Sequence, residues 1–82
     1  MQYKTIHLHY YALLREQIGK TEEDFTTAAM TAKELYDEIQ DRYHFGFRED
    51  LLKVSINDVF TSWQTKLKAG DRVVFIPPVS GG

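Results

Sequence analysis

Arg72-Val73-Val74-Phe75-Ile76-Pro77-Pro78-Val79-Ser80-Gly81-Gly82 is the stretch on which the reading of this chain turns. Val73 to Ile76 is continuously apolar, as expected of a central strand with a helix over one face. Pro77 and Pro78 hold φ near about −65° and remove two backbone donors, so the strand is expected to end there and an extended segment to follow. Gly81 and Gly82 lack side chains and accept almost any backbone conformation. The chain therefore reads as a domain at 1–76 followed by a flexible, extended tail at 77–82. Fully stretched, the tail reaches about 20 Å at roughly 3.3 Å per residue. A carboxylate is a poor electrophile until activated, and an activating enzyme must bring a nucleotide phosphate to it through a narrow channel. Glycine obstructs such a channel least. The carboxylate of Gly82, with Pro77, Pro78, Val79, Ser80 and Gly81 as its stalk, is the expected reacting group.

Upstream, Tyr3 to Tyr10 alternates, with Ile6, Leu8 and Tyr10 on one face and Thr5, His7 and His9 on the other, which predicts a half-buried strand. Tyr11 to Ile18 carries Leu13, Leu14 and Ile18 at helical spacing and ends at Gly19, a residue suited to the left-handed conformation that stops a helix. Glu22 to Thr26 has one apolar anchor, Phe25, and three consecutive acids, which predicts a short edge strand blunted by charge. The longest helix is expected from Thr31 to Phe45. Ala32, Leu35, Tyr36, Ile39 and Tyr43 lie on one stripe, Thr31 and Glu34 form a capping box, Met30 and Leu35 a staple, and Gly46 the stop. Leu52, Val54 and Ile56 alternate into another strand, Asn57-Asp58 suits a turn, and Val59-Phe60 continues after it. Ala69-Gly70-Asp71 marks the turn before the last strand. Strand, helix, strand, helix, then three strands make an α+β domain with the long helix across one face of a mixed sheet. The two most apolar strands, first and last, are expected side by side at its centre.

At 82 residues the chain suits a single domain, with no room for a large internal active site. Ten basic and twelve acidic residues are interspersed, with a net charge of −2. This argues against nucleic acid as a partner. Cysteine is absent, which removes disulfides, thiolate metal sites and a side-chain thiol nucleophile. No apolar run is long enough to span a membrane and no secretory leader is visible, so a cytoplasmic location without membrane attachment is expected.

Ala12, Arg15, Glu16 and Gly19 after the first strand, Asn57 at its turn, Gly70-Asp71 followed by Val73, and the ending Pro77-Pro78-Val79-Ser80-Gly81-Gly82 together resemble the ubiquitin-like sulfur carriers, in particular the small subunits of molybdopterin synthase. A terminal diglycine alone is shared with ubiquitin-like modifiers and with thiamine-pathway carriers. The diproline, the helix after strand one and the chain length favour the molybdopterin branch. The resemblance implies a β-grasp fold and a non-catalytic role, with no bound cofactor. A ubiquitin-activating-like adenylyltransferase would spend ATP and Mg²⁺ to adenylate Gly82. A sulfur donor such as a cysteine desulfurase or rhodanese-like protein would then leave a thiocarboxylate. The large synthase subunit, in a dimer of heterodimers, would receive the tail and pass sulfur to cyclic pyranopterin monophosphate. The same chemistry could serve thiamine synthesis or RNA thiolation, or Gly82 could be conjugated to lysines.

The resemblance also places Tyr11, Phe60 and Ile76 in an apolar patch that partners grip at the base of the tail. Strand alternation sends Phe75 and Ile76 to opposite faces, which makes Phe75 the core residue of the pair. His7 and His9 share a strand face, but a zinc site needs three or four placed ligands, so solvated histidines are expected. Glu22, Glu23 and Asp24 are expected to form a solvated acidic edge. Lys68 and Arg72 receive no role, because exposed charge pairs are individually weak.

Overall fold

In the computed structural model, residues 2–44 and 52–76 are described, with the side chains of Ala12 and Leu13 excepted. The elements are β1 (Lys4–Tyr10), α1 (Ala12–Ile18), β2 (Glu22–Thr27), α2 (Ala32–Tyr43), β3 (Lys53–Ile56), β4 (Val59–Thr61) and β5 (Arg72–Ile76). They follow the order expected from the sequence. The strands form one mixed sheet in the order β2-β1-β5-β3-β4. β1 and β5 run parallel at its centre, with Leu8 opposite Val73 and Tyr10 opposite Phe75, while the other pairs are antiparallel. This is the β-grasp arrangement. No helix among the described residues is long and apolar enough to cross a membrane.

Period-2 alternation turns Ile6, Leu8 and Tyr10 of β1, Val54 of β3, and Val73 and Phe75 of β5 into one core with Ala32, Leu35, Tyr36 and Ile39 of α2. Phe75 is fully buried. Its ring meets Tyr36 edge-on at 5.4 Å and lies parallel to Trp63 at 5.8 Å, so an aromatic trio joins the sheet to the helix.

Local chemistry explains the boundaries. Thr31 Oγ1 accepts from the Glu34 N–H at 3.2 Å, while Glu34 reaches back to the Met30 N–H at 2.9 Å, one residue outside the expected box. Met30 remains 59% exposed, so the expected staple buries little. Gly19 ends α1 at φ 84°, with its N–H bonded to Arg15 O. α2 ends earlier than expected, at Tyr43 with His44 as its cap rather than at Phe45. His44 takes the left-handed conformation at φ 55° and donates to Gln40 O at 2.7 Å, a geometry histidine tolerates better than branched residues do. Phe45 and Gly46 lie outside the described residues. Asn57 and Asp58 both have positive φ, as a two-residue hairpin turn matched to strand twist requires. Asn57 Nδ2 donates to Asp71 Oδ1 at 2.9 Å and the Arg72 N–H donates to Asn57 Oδ1 at 3.0 Å, so this turn is tied to the start of β5.

One expectation is corrected. Glu22 and Asp24 are exposed, but the Glu23 side chain retains only 13% exposure. It falls in register with Leu8 and shares the core face of β2 with Phe25. Tyr10 and Tyr43 hydroxyls both donate to Glu23 Oε2, at 2.5 and 2.8 Å, and Lys20 Nζ approaches Oε1 at 3.2 Å. Three consecutive acids looked alike in sequence, yet alternation sends the middle one inward. Burial opposes ionisation of Glu23, but the donors from Tyr10, Tyr43 and Lys20 together outweigh it and hold the carboxyl below its ordinary value. Burial, reinforced by the Glu23 contact, pushes the Tyr10 hydroxyl far up.

Two outcomes follow for stability. Phe75→Ala should cost about 3–5 kcal/mol, measured by urea unfolding with Trp63 fluorescence as the signal. Because the folded Glu23 pKa is depressed, its contribution is present at neutral pH and is lost as pH falls below the ordinary glutamate value of 4.5. Glu23→Gln should therefore lower stability by about 1 kcal/mol at pH 7. In melts repeated from pH 7 to pH 3, the gap to the unsubstituted protein should close on the acid side.

Candidate functional site

The face of the sheet turned away from α2 carries the candidate site. Alternation alone assigns His7, His9 and Thr5 of β1 to it. Register assigns the remainder: Glu22, His9, Val74, Ser55 and Phe60 are successive cross-strand partners and so form one transverse row. Ile76 lies two residues beyond Val74 on the same face, opposite Lys53. From His9 on β1 to Phe60 on β4 the row crosses three strand spacings, about 14 Å.

Phe60 is 66% exposed and Tyr11 42%, while Ile76 is half-buried. Tyr11 immediately follows Tyr10, whose partner is Phe75, and its ring stands 4.9 Å from the His9 ring. The structure thus brings Tyr11, Phe60 and Ile76 to one face. Tyr11 and Ile76 mark the end of the β1–β5 pair from which the chain continues into its last six residues. Val74 and Ser55 are buried at 4% and 7% exposure although neither points toward α2. They form a closed floor between exposed aromatic groups, the pattern of a docking surface with a packed centre.

Sequence reasoning missed the floor. Val74 sits in a continuous apolar run, which conceals which face each residue takes, and Ser55 and His9 carry no apolar signal. Only cross-strand register joins them. His9 was expected to be a solvated strand histidine, and it is instead half-buried against Tyr11.

The adjacent row is charged. His7 Nδ1 lies 2.8 Å from Asp24 Oδ1 and Nε2 lies 3.1 Å from Glu22 Oε1. The hydrogen bond to Asp24, with Glu22 assisting, raises the His7 pKa and favours the imidazolium, which can donate from both nitrogens. Arg72, opposite His7, pairs with Asp58 at 3.4 Å. A screened, self-paired polar band therefore borders the apolar row on the side away from the tail. Among the described residues no three His, Cys, Asp or Glu side chains come together as a metal site. Pro77, Pro78, Val79, Ser80, Gly81 and Gly82, and with them the expected division at residue 76, lie outside the described residues.

Known proteins resemble this chain in sequence and in fold. The molybdopterin synthase sulfur carrier subunit of Haemophilus influenzae is 32% identical over 77 residues, covering 89% of this chain and 94% of that protein. A protein assigned as molybdopterin converting factor subunit 1 in Pyrococcus furiosus superposes with a TM-score of 0.76 at 28% identity, over 93% of this chain and 99% of its own. A chain from the complex of subunits 1 and 2 of the molybdopterin-converting factor of Helicobacter pylori matches with a TM-score of 0.63 at 25% identity, over 95% and 99% of the two chains. The model of the ThiS family matches residues 8–82, from the middle of β1 through both terminal glycines. With the end of β1, all of β5, Tyr11, Phe60 and the diglycine inside that match, the chain belongs to the ThiS family.

Proposed function

We propose that this protein is a cytoplasmic sulfur carrier, the small subunit of a molybdopterin synthase, and that Gly82 is its reacting residue. The observation that carries this reading is that Tyr11 and Ile76 stand at the strand end from which the tail sequence continues, on the same open face as the exposed Phe60. A partner seated on that face stands beside the start of the tail and can draw it into an active site. The 32% identity to a molybdopterin synthase sulfur carrier subunit over most of both chains supports this branch over thiamine synthesis, RNA thiolation or conjugation to lysines.

In this reading an adenylating partner binds ATP and Mg²⁺, and the Gly82 carboxylate attacks the α-phosphorus and releases pyrophosphate. The terminal sulfur of a persulfide on a donor such as a cysteine desulfurase or rhodanese-like protein then displaces AMP to form an acyl disulfide. A thiol of the donor or of a partner cleaves the S–S bond, becoming oxidised to a disulfide and leaving the thiocarboxylate. The anionic sulfur is a nucleophile at neutral pH. Inside the large subunit it attacks cyclic pyranopterin monophosphate, and hydrolysis returns the carboxylate for another cycle. The carrier contributes its acyl terminus and the docking face, while catalytic side chains belong to the partners. A partner complex of subunits 1 and 2, known for the Helicobacter pylori relative, supports a large subunit as the receiving protein. A dimer of heterodimers is the proposed assembly.

Intact mass after incubation with the adenylating protein, ATP, Mg²⁺ and a sulfur source should rise by the exchange of one oxygen for sulfur, and removal of Gly82 should abolish the rise. An unchanged mass under these conditions would defeat the carrier reading. Ile76→Asp and Phe60→Asp should each leave the melting temperature nearly unchanged yet weaken large-subunit binding by roughly 30-fold or more, as expected for central anchors of an interface. Calorimetric titration of the two subunits measures this.

A further inference from the structure

The pole opposite the tail carries a groove that the sulfur-carrier reading does not use. It opens where β1 begins and where the chain approaches β5, with a volume of about 650 Å³, within the roughly 300–1,000 Å³ usual for ligand pockets. Leu67 lies in its floor, Tyr3 and Met30 stand over it, and Lys4, Lys66 and Lys68 line it. Tyr3 and Met30 are 68% and 59% exposed, two of the few large apolar side chains left open on the described surface.

The groove's charge contrasts with that of the chain. Among the described residues, three lysines and no carboxylate line it, in a protein of net charge −2. Two acids bonded to the groove's own backbone are turned to N–H donors. Glu34 accepts from the Met30 N–H at 2.9 Å, and Asp71, buried, accepts from the Lys68 N–H at 2.8 Å. Lys4 Nζ donates to Ala29 O. Lys20 and Lys33 have carboxylate partners, whereas Lys66 and Lys68 have none among the described residues. The walls are set by the backbone: Leu67 N–H donates to Met30 O at 2.9 Å, Gly70 N–H to Thr5 O at 2.8 Å, and Thr31 bridges Lys66. A ligand would meet a formed groove, which lowers the ordering cost of binding.

From these features we propose that the groove docks an acidic peptide segment of a partner protein, with an apolar side chain seated over Leu67 between Tyr3 and Met30 and flanking carboxylates paired with Lys66 and Lys68. An apolar floor with cations at the rim suits an anchor residue flanked by acids better than a bare anion, whose sites converge donors on one point. The location adds a consequence. β1 and β5 are parallel, so the groove sits at the start of the pair and the tail leaves from its end, roughly 23 Å away for seven residues of strand. A protein held here leaves the open face beside Tyr11 and Ile76 accessible to a second one.

The test is amide NMR on the full chain at low salt, with a short peptide alternating glutamate and leucine, its lysine-leucine counterpart, inorganic phosphate and a single-stranded oligothymidine as probes. The acidic peptide should shift Tyr3, Lys4, Leu67 and Lys68 selectively, and the lysine-leucine peptide should not. The double variant Lys66→Glu/Lys68→Glu should bind the acidic peptide roughly tenfold more weakly, with the remaining spectrum unchanged. Large-subunit binding, which reports the other pole, should not move, so failure here is distinguishable from failure of the carrier reading. Shifts spread over the surface, equal binding by the double variant, or equal shifts from phosphate or oligothymidine at the same concentration would overturn the proposal.

Discussion

The parallel pairing of β1 with β5 is the constraint on which the other features depend. Parallel neighbours cannot be joined by a hairpin, and here every other element of the fold lies between them in sequence. Ile6, Leu8, Tyr10, Val73 and Phe75 each have 1% exposure or less, so the contact is sealed by the core it creates. Its direction determines which residues share an end of the sheet. Because both strands point the same way, the residue after β1, Tyr11, and the last residue of β5, Ile76, arrive at one end of the sheet. An antiparallel arrangement would have put them at opposite ends.

The two faces of the sheet are packed differently. One is filled by α2 and the aromatic trio of Tyr36, Trp63 and Phe75, which packs the sheet against the helix. The other keeps a packed floor, Val74 and Ser55, under exposed aromatic rings. Core packing and the open face thus draw on alternate residues of the same strands, and Phe75, fully buried, and Ile76, half-buried on the other face, show the division within a single dipeptide. Glu23 closes the core near the docking end, where its carboxylate receives two tyrosine hydroxyls and a lysine, a combination that keeps a charge ionised at low exposure.

Much of this was legible in the residues. Element order followed from signals that act within one turn or one pleat: alternation in Tyr3 to Tyr10, the Thr31–Glu34 cap, Gly19 at positive φ, and Asn57-Asp58 at the hairpin. Departures came where a local pattern was degenerate. Three acids in a row concealed that only Glu22 and Asp24 face water. The end of α2 was set by His44, a residue without the strong left-handed preference of glycine. Met30 looked like half of a staple and instead stands exposed beside a groove formed by segments distant in sequence.

By itself, the sequence determined the elements, the fold class, Phe75 as a core residue and the chemical character of the ending, because these depend on backbone preference, on side-chain period and on which groups can react. Tertiary structure alone decided that Glu22, His9, Val74, Ser55 and Phe60 share a row, that Glu23 turns inward, and that three lysines gather at the pole away from the tail. The physical reason is register. Cross-strand neighbours are chosen by how the whole core packs, and one residue of slippage would send each of those side chains to the opposite face.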